Sequence, residues 1–445
     1  MSYSGNTVNK QYKAYTNRNI HTIEQFKTLP DDILAAIQVV SKVLPFRASN
    51  YVVNELIDWS NVPEDPIFQL VFPQPGMLAH EAFNKIEKLM SEGAPDSTIA
   101  AAVTLIQDRM NPHPAGQMDM NVPVENGKVY SGMQHKYDQT VLFFPTQGQS
   151  CHAYCTYCFR WAQFVGHDDM KFATKDIDAL IEYIENHPEV TDVLITGGDP
   201  LIMSTKILRR YIEPLIKKKP GNLSSIRFGT KVPAYWPYRF FSDKDSDDLM
   251  VLFDEIVKSG IHLSIMSHFS HYRELETDAV THALKRITST GAIVRCQAPL
   301  IRHINDKADI WARMWEKQVQ VGAIPYYMFI ERDTGPKEYF SVDLPTAFDI
   351  FTEAYSKVSG LARTVRGPSM SATPGKVLID GITEVAGEKV FVLKFIQGRD
   401  ADWVNKIFFA KYNEEARWLD DLEPAFGETE FFYEKGLNAL KSIKL

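Results

Sequence analysis

Cysteine is nearly absent. Only four occur among 445 residues, Cys151, Cys155, Cys158 and Cys296, and none follows Cys296. A disulfide-stapled secreted scaffold would spread more of them along a shorter chain, so that class is excluded. A surplus of positive charge is missing too. Lys plus Arg number 48 against 56 Asp plus Glu, a formal charge of −8, which argues against a nucleic-acid partner. Long apolar runs are lacking: stretches such as Val141-Leu142-Phe143-Phe144 are far too short to span a bilayer. The opening Met1-Ser2-Tyr3-Ser4-Gly5-Asn6 is polar and has no secretory h-region. No internal repeat or low-complexity tract is evident. With 44% apolar residues and 24 each of Gly and Pro, the composition is that of an ordinary globular protein. These absences predict a protein of the reducing cytoplasm with no membrane partner.

What is present is a regular alternation. Residues 1–120 read as a mostly helical N-terminal region, with helical apolar spacing over 31–43 and 79–90. From 140 onward, short β-type runs at 140–144, 192–195, 225–228, 261–266, 292–296 and 324–329 alternate with amphipathic helices. Thr174 and Ser204 are expected to cap the first two helices, and Gly260 and Gly291 to end the third and fourth. Six such units mean parallel strands with crossover helices, a barrel or a doubly wound sheet, in an α/β domain over 121–365. Ligands then sit at the C-terminal ends of the strands. After 366 the alternation stops, and 366–445 is expected to form a separate C-terminal element, aromatic-rich and suited to holding a cofactor or a second copy of the chain.

Three of the four cysteines fall together after the first strand as Cys151-x3-Cys155-x2-Cys158. Three thiolates so spaced in a polar loop can ligate three irons of a [4Fe–4S] cluster and leave the fourth open. A zinc site would need a fourth ligand, for which His152 is the candidate. Cys296 sits in a strand beside Val294 and reads as core.

The other strand ends also carry polar groups. Thr196-Gly197-Gly198-Asp199-Pro200-Leu201 follows the second strand, and two glycines let the backbone approach a ligand closely. Gly229-Thr230-Lys231 ends the third strand, Ser267-His268-Phe269-Ser270-His271 the fourth, and Arg295-Cys296-Gln297 the fifth. His268 and His271, three apart, could also be metal ligands.

The cysteine motif after the first strand of a β/α array, with the aromatic Tyr157 before its last cysteine, resembles the radical SAM superfamily. Gln134-His135-Lys136-Tyr137, Cys158-Phe159-Arg160, Gly197-Gly198-Asp199-Pro200-Leu201, Asn305-Asp306 and Pro325-Tyr326-Tyr327 narrow the resemblance to the lysine 2,3-aminomutase family. It spans roughly residues 56–375 and includes Leu56-Ile57-Asp58-Trp59. The resemblance implies a partial (β/α)6, TIM-like barrel and S-adenosylmethionine (SAM) bound to the open iron and cleaved to a 5′-deoxyadenosyl radical. It further implies a pyridoxal-phosphate-dependent 1,2-amino shift on an amino acid. Gly197, Gly198, Asp199, Thr230, Lys231, His268 and Gln297 are then SAM contacts. Lys136 and Tyr137 hold the pyridoxal phosphate, Arg160 binds the substrate carboxylate, and Lys376 in Thr373-Pro374-Gly375-Lys376 forms the internal aldimine. An electron donor such as flavodoxin or ferredoxin, and self-association, are implied too.

The chain also departs from the family. The resemblance implies an aspartate, pairing the substrate ε-ammonium in lysine enzymes, that would align near Ala372, and the candidate for the other such aspartate, Asp333, is one position out of register. An unpaired buried ammonium is costly, so a lysine-like amino acid is expected without lysine itself being fixed as the substrate. Two alternatives remain open at this point: a pyridoxal-free radical SAM enzyme on the same scaffold, and a non-catalytic iron–sulfur protein.

Overall fold

The computed structural model describes residues 10–165 and 172–444; the N-terminal hexapeptide lies outside the described residues. The centre is one mixed sheet of eleven strands arranged in chain order. Numbering only these, they are β1 Met133–Tyr137, β2 Thr140–Phe143, β3 Asp192–Ile195, β4 Ser225–Thr230, β5 His262–His268 and β6 Ile293–Leu300. There follow β7 Ile324–Ile330, β8 Arg366–Ser371, β9 Gly375–Val385, β10 Glu388–Gly398 and β11 Ile407–Lys411. Strands β2 to β8 are parallel, and β1 and β9 to β11 pair antiparallel at the two ends. All six runs read from the sequence are strands.

The crossover helices are α1 Ile177–Asn186, α2 Thr205–Lys218, α3 Ser246–Lys258, α4 Asp278–Ser289, α5 Ala308–Gln320 and α6 Leu344–Lys357. Each buries one apolar stripe against the sheet: α2, for example, buries Leu208, Tyr211, Ile212 and Leu215. Gly260 and Gly291 follow α3 and α4 at φ +84° and +85°, a left-handed conformation that favours glycine. The cap of α1 differs from expectation. Asp176 accepts the Ala179 N–H at 2.9 Å, while the Thr174 hydroxyl accepts from Asp176 itself. Ser204 makes no side-chain cap bond.

Two strands escape a reading by hydrophobic alternation. β1 is Met-Gln-His-Lys-Tyr, and β8 is Arg-Gly-Pro-Ser-Met-Ser, poor in β-branched residues. Both are held by neighbours rather than by propensity. As a result, the chain after 366 extends the central sheet instead of standing apart from it. The N-terminal helices Asp31–Val43, Pro66–Val71, His80–Ser91 and Asp96–Asp108 precede the sheet. Among the described residues no helix is long and apolar enough to cross a membrane.

Candidate active site

The loop after β2 that carries the three cysteines is held from the N-terminal region. The Arg47 guanidinium donates to Ser150 Oγ at 2.7 Å and to the Cys151 carbonyl at 3.0 Å. Tyr154 N–H bonds to the Arg47 carbonyl at 2.9 Å, and the Thr156 hydroxyl donates to the Gln69 carbonyl at 2.8 Å. Tyr157 is buried, with its hydroxyl 2.9 Å from Ser270 Oγ. Burial pushes all three thiols up, Cys158 to about 12 with the neighbouring Cys155 adding to the effect. A metal that takes them as thiolates must displace these protons. Among the described residues no three His, Cys, Asp or Glu side chains converge as one ion requires. It is compatible with a cubane, in which each thiolate holds a different iron. His152 is buried between Tyr12 and Trp236, with ring centroids 4.9 and 6.5 Å away. Cys296 is 2% exposed and belongs to the core.

The Gly-Gly-Asp segment after β3 lies against this loop. A Cβ on Gly198 would stand 2.6 Å from the Ser150 backbone N and O, so the two chains approach more closely than any side chain allows. The Asp199 N–H bonds to the Ser150 carbonyl at 2.8 Å. The Asp199 carboxylate accepts from Leu201 N–H at 3.0 Å, Thr230 Oγ1 at 2.7 Å and Lys231 N–H at 2.7 Å. Burial nevertheless pushes it up to about 6. Thr230 and Lys231, expected as ligand contacts, therefore fasten Asp199 in place. The Lys231 ammonium is itself matched by buried Glu274 at 2.7 Å. His268 at the end of β5 is pushed down to about 3, chiefly by burial and then by Lys231. His271 caps a short turn through its Nδ1 and does not join it as a ligand pair. Gln297 lies where the β6–β7 register shifts.

The opposite wall is cationic and aromatic. Lys376 opens β9, and its Nζ donates to Gln397 Oε1 at 2.9 Å. The amine lies 4.2 Å from the Tyr327 ring centroid, 5.4 Å from Phe329 and 6.0 Å from Tyr137. Burial, then Arg366, Arg227 and Arg332, push Lys376 well below the ordinary lysine range. Lys136 is pushed down likewise, by burial and then Arg399, Arg332 and Lys376. Buried Arg160 has an Nη1 with no hydrogen-bond partner. Burial and Arg332 lower it to about 9. The three clustered cysteines, Arg160, the Gly197–Asp199 segment, Thr230, Lys231, His268, Gln297, Lys136, Tyr137 and Lys376 line one cavity of about 370 Å³, and His271 does not.

Asp333 is the exception among the substrate candidates. It pairs with Lys337 and lines a second cleft, which shares Glu331 and Arg332 with the main cavity. Sequence reasoning also missed Arg47, Gln397, Arg332 and Arg366. Arg332 is visible in the sequence as a basic residue just past a strand end, the same signal that marked Lys231, whereas Arg366 opens β8 and carries no such signal.

A family profile described as a 4Fe-4S single cluster domain matches residues 140–233, the stretch holding the cysteine loop and the Gly-Gly-Asp segment. A protein of Aquifex aeolicus (strain VF5) named "Putative L-lysine 2,3-aminomutase" is 30% identical over 393 residues, covering 88% of this chain and 91% of that protein. The L-lysine 2,3-aminomutase of Bacillus subtilis (strain 168) is 33% identical over 198 residues, 44% of this chain and 39% of its own length. That of Escherichia coli (strain K12) is 24% identical over 292 residues, 65% of this chain and 80% of its own. With a cysteine loop, a Gly-Gly-Asp segment and a buried lysine around one cavity, and likeness along most of its length, the chain belongs to the lysine 2,3-aminomutase family and is a radical SAM isomerase.

Proposed function

We propose that the protein moves the amino group of an amino acid from C2 to C3, using a [4Fe–4S] cluster, SAM and pyridoxal phosphate within a partial (β/α)6 barrel. The observation that carries this reading is Lys376. It is a buried amine among three aromatic rings, without a carboxylate partner among the described residues, on the wall of the cavity that the clustered cysteines also line. A lysine kept neutral by burial is nucleophilic, as a covalent anchor for pyridoxal must be. The orphaned Arg160 Nη1 fits a carboxylate, which a guanidinium takes in a fixed bidentate geometry.

Cys151, Cys155 and Cys158 would hold three irons, and the amino and carboxylate groups of SAM would complete the fourth. The backbone of Gly197 and Gly198 would border the SAM amino acid, with Asp199 as the positioning residue and His268 and Gln297 completing that end. Bound there, the cofactors supply a 5′-deoxyadenosyl radical and a π system able to carry an unpaired electron. The chain supplies the rest. Arg160 would orient the substrate carboxylate, Lys136 and Tyr137 would face the phosphate, and Tyr327 and Phe329 shield the reacting atoms from solvent. The reaction is redox-neutral: one hydrogen passes from C3 to C2 as nitrogen passes from C2 to C3. A one-electron donor such as flavodoxin or ferredoxin starts the cycle.

The test is anaerobic reconstitution with iron, sulfide and pyridoxal phosphate, followed by borohydride trapping. Trapped pyridoxal in wild type and none in Lys376→Ala supports the reading. A wild type that cleaves SAM but traps no pyridoxal overturns it in favour of pyridoxal-free hydrogen abstraction. Replacing Cys151, Cys155 and Cys158 together by Ala abolishes SAM cleavage; retained cleavage would overturn the radical assignment as well.

A further inference from the structure

We infer that Tyr235 raises the reduction potential of the iron–sulfur cluster by donating a hydrogen bond from its hydroxyl to the Cys155 sulfur. It acts through Cys155 and is a positioning residue for the radical reaction. The inference rests on the iron–sulfur reading above and deepens it.

Tyr235 closes the four-residue helix Val232–Tyr235 that follows β4. It is 2% exposed and lines the same cavity as the clustered cysteines. Its backbone is pinned on both sides. The N–H donates to the Lys231 carbonyl at 3.0 Å, and the carbonyl accepts from Ser49 Oγ at 2.7 Å. The Lys231 ammonium covers the ring, 4.7 Å from its centroid, and is itself held by Glu274 at 2.7 Å. None of these contacts uses the hydroxyl. That group lies 3.1 Å from Cys155 Sγ and has no other hydrogen-bond partner among the described residues. A buried phenol needs a partner, and here the fold presents a sulfur.

Between a free thiol and a phenol, either group could donate across that contact. As an iron ligand, Cys155 is a thiolate with no proton to give, so the tyrosine must be the donor. Reduction brings in one electron from the one-electron donor and one unit of negative charge, spread in part onto the thiolate sulfurs. No proton moves and no bond breaks. A hydroxyl aimed at such a sulfur binds it more strongly once that charge has arrived, the more so away from water. The hydrogen bond therefore favours the reduced state, and hydrogen bonds to the sulfurs are one of the levers by which a protein sets a cluster's potential. The electron that must arrive before SAM is cleaved is then easier to deliver.

The test is a potentiometric titration of the anaerobically reconstituted protein, followed by the paramagnetic resonance signal of the reduced cluster, without substrate or turnover. Tyr235→Phe keeps the ring and its packing. It should make the cluster harder to reduce by about tenfold in the equilibrium, ~59 mV for one electron. Tyr51→Phe also loses a buried hydroxyl contact, 2.7 Å from Thr277 Oγ1, and should leave the potential unchanged. Incorporation of 3-fluorotyrosine at position 235 makes the hydroxyl a stronger donor and should move the potential the opposite way, which decides the matter if the Phe variant holds no cluster. Equal potentials in wild type and Tyr235→Phe, an equal shift in Tyr51→Phe, or no rise with the fluorinated residue overturns the inference. Iron and sulfide bound per chain report separately whether a cluster is present, so failure of the iron–sulfur reading shows on a different measurement.

Discussion

Lys136 donates its ammonium group to the backbone carbonyl of Ala372, 236 residues further along the chain. The bond ties edge strand β1 to the turn that precedes Lys376, and so brings two buried lysines into one field.

The two lysines give the protein a stability cost that titrates. Lys376 lies well below its ordinary value because of burial. Between its folded and unfolded pKa values the unfolded chain binds more protons, so stability rises with pH across that window. Lys376→Met removes the titrating amine. The cofactor-free variant is expected to be about 1–3 kcal/mol more stable near pH 7, with a flatter dependence as pH rises toward the lysine range. Urea denaturation of both proteins at several pH values checks this, and a less stable Met variant would show that the amine is not carried at a cost.

Gly198→Ala places a methyl 2.6 Å from the Ser150 backbone, which no side-chain movement relieves. The cysteine loop has to shift, at a cost of about 1–3 kcal/mol. Iron bound per chain after anaerobic reconstitution should fall, while Gly221→Ala, with nothing within 4 Å of the new methyl, should load like wild type. Full loading of Gly198→Ala would mean that the close approach does not set the loop.

Asp199→Asn sets an amide among three donors. One N–H or hydroxyl loses its acceptor, at a cost of about 1–3 kcal/mol. The wild-type carboxyl is pushed up to about 6. The folded state therefore binds more protons than the unfolded chain between about 4 and 6, and wild type loses stability as pH rises through that window. The variant lacks this slope. Thermal denaturation from pH 4 to 7 would show it as a difference between the two proteins that grows smaller as pH rises. SAM cleavage by the variant should also drop, through displacement of the Gly197–Gly198 backbone.

Much of the site was legible because its signals are local. Three cysteines within eight residues, and Gly-Gly-Asp at a strand end, carry their chemistry in their spacing. The six inner parallel strands were legible for the same reason, since each buries its own apolar run. β1 and β8 were not: polar Met-Gln-His-Lys-Tyr and the Pro- and Gly-containing β8 become strands through hydrogen bonds to neighbours.

The sequence by itself determined an open-iron motif at the head of a β/α array, and a lysine after a Pro-Gly turn. Only the tertiary structure decided that Asp333 faces outward, that Thr230 and Lys231 brace Asp199, and that Arg160 and Arg332 share one ring. The physical reason is that burial and charge balance belong to the assembled wall. An arginine at a strand end reads as an ordinary surface charge until the fold removes it from water and brings no carboxylate with it.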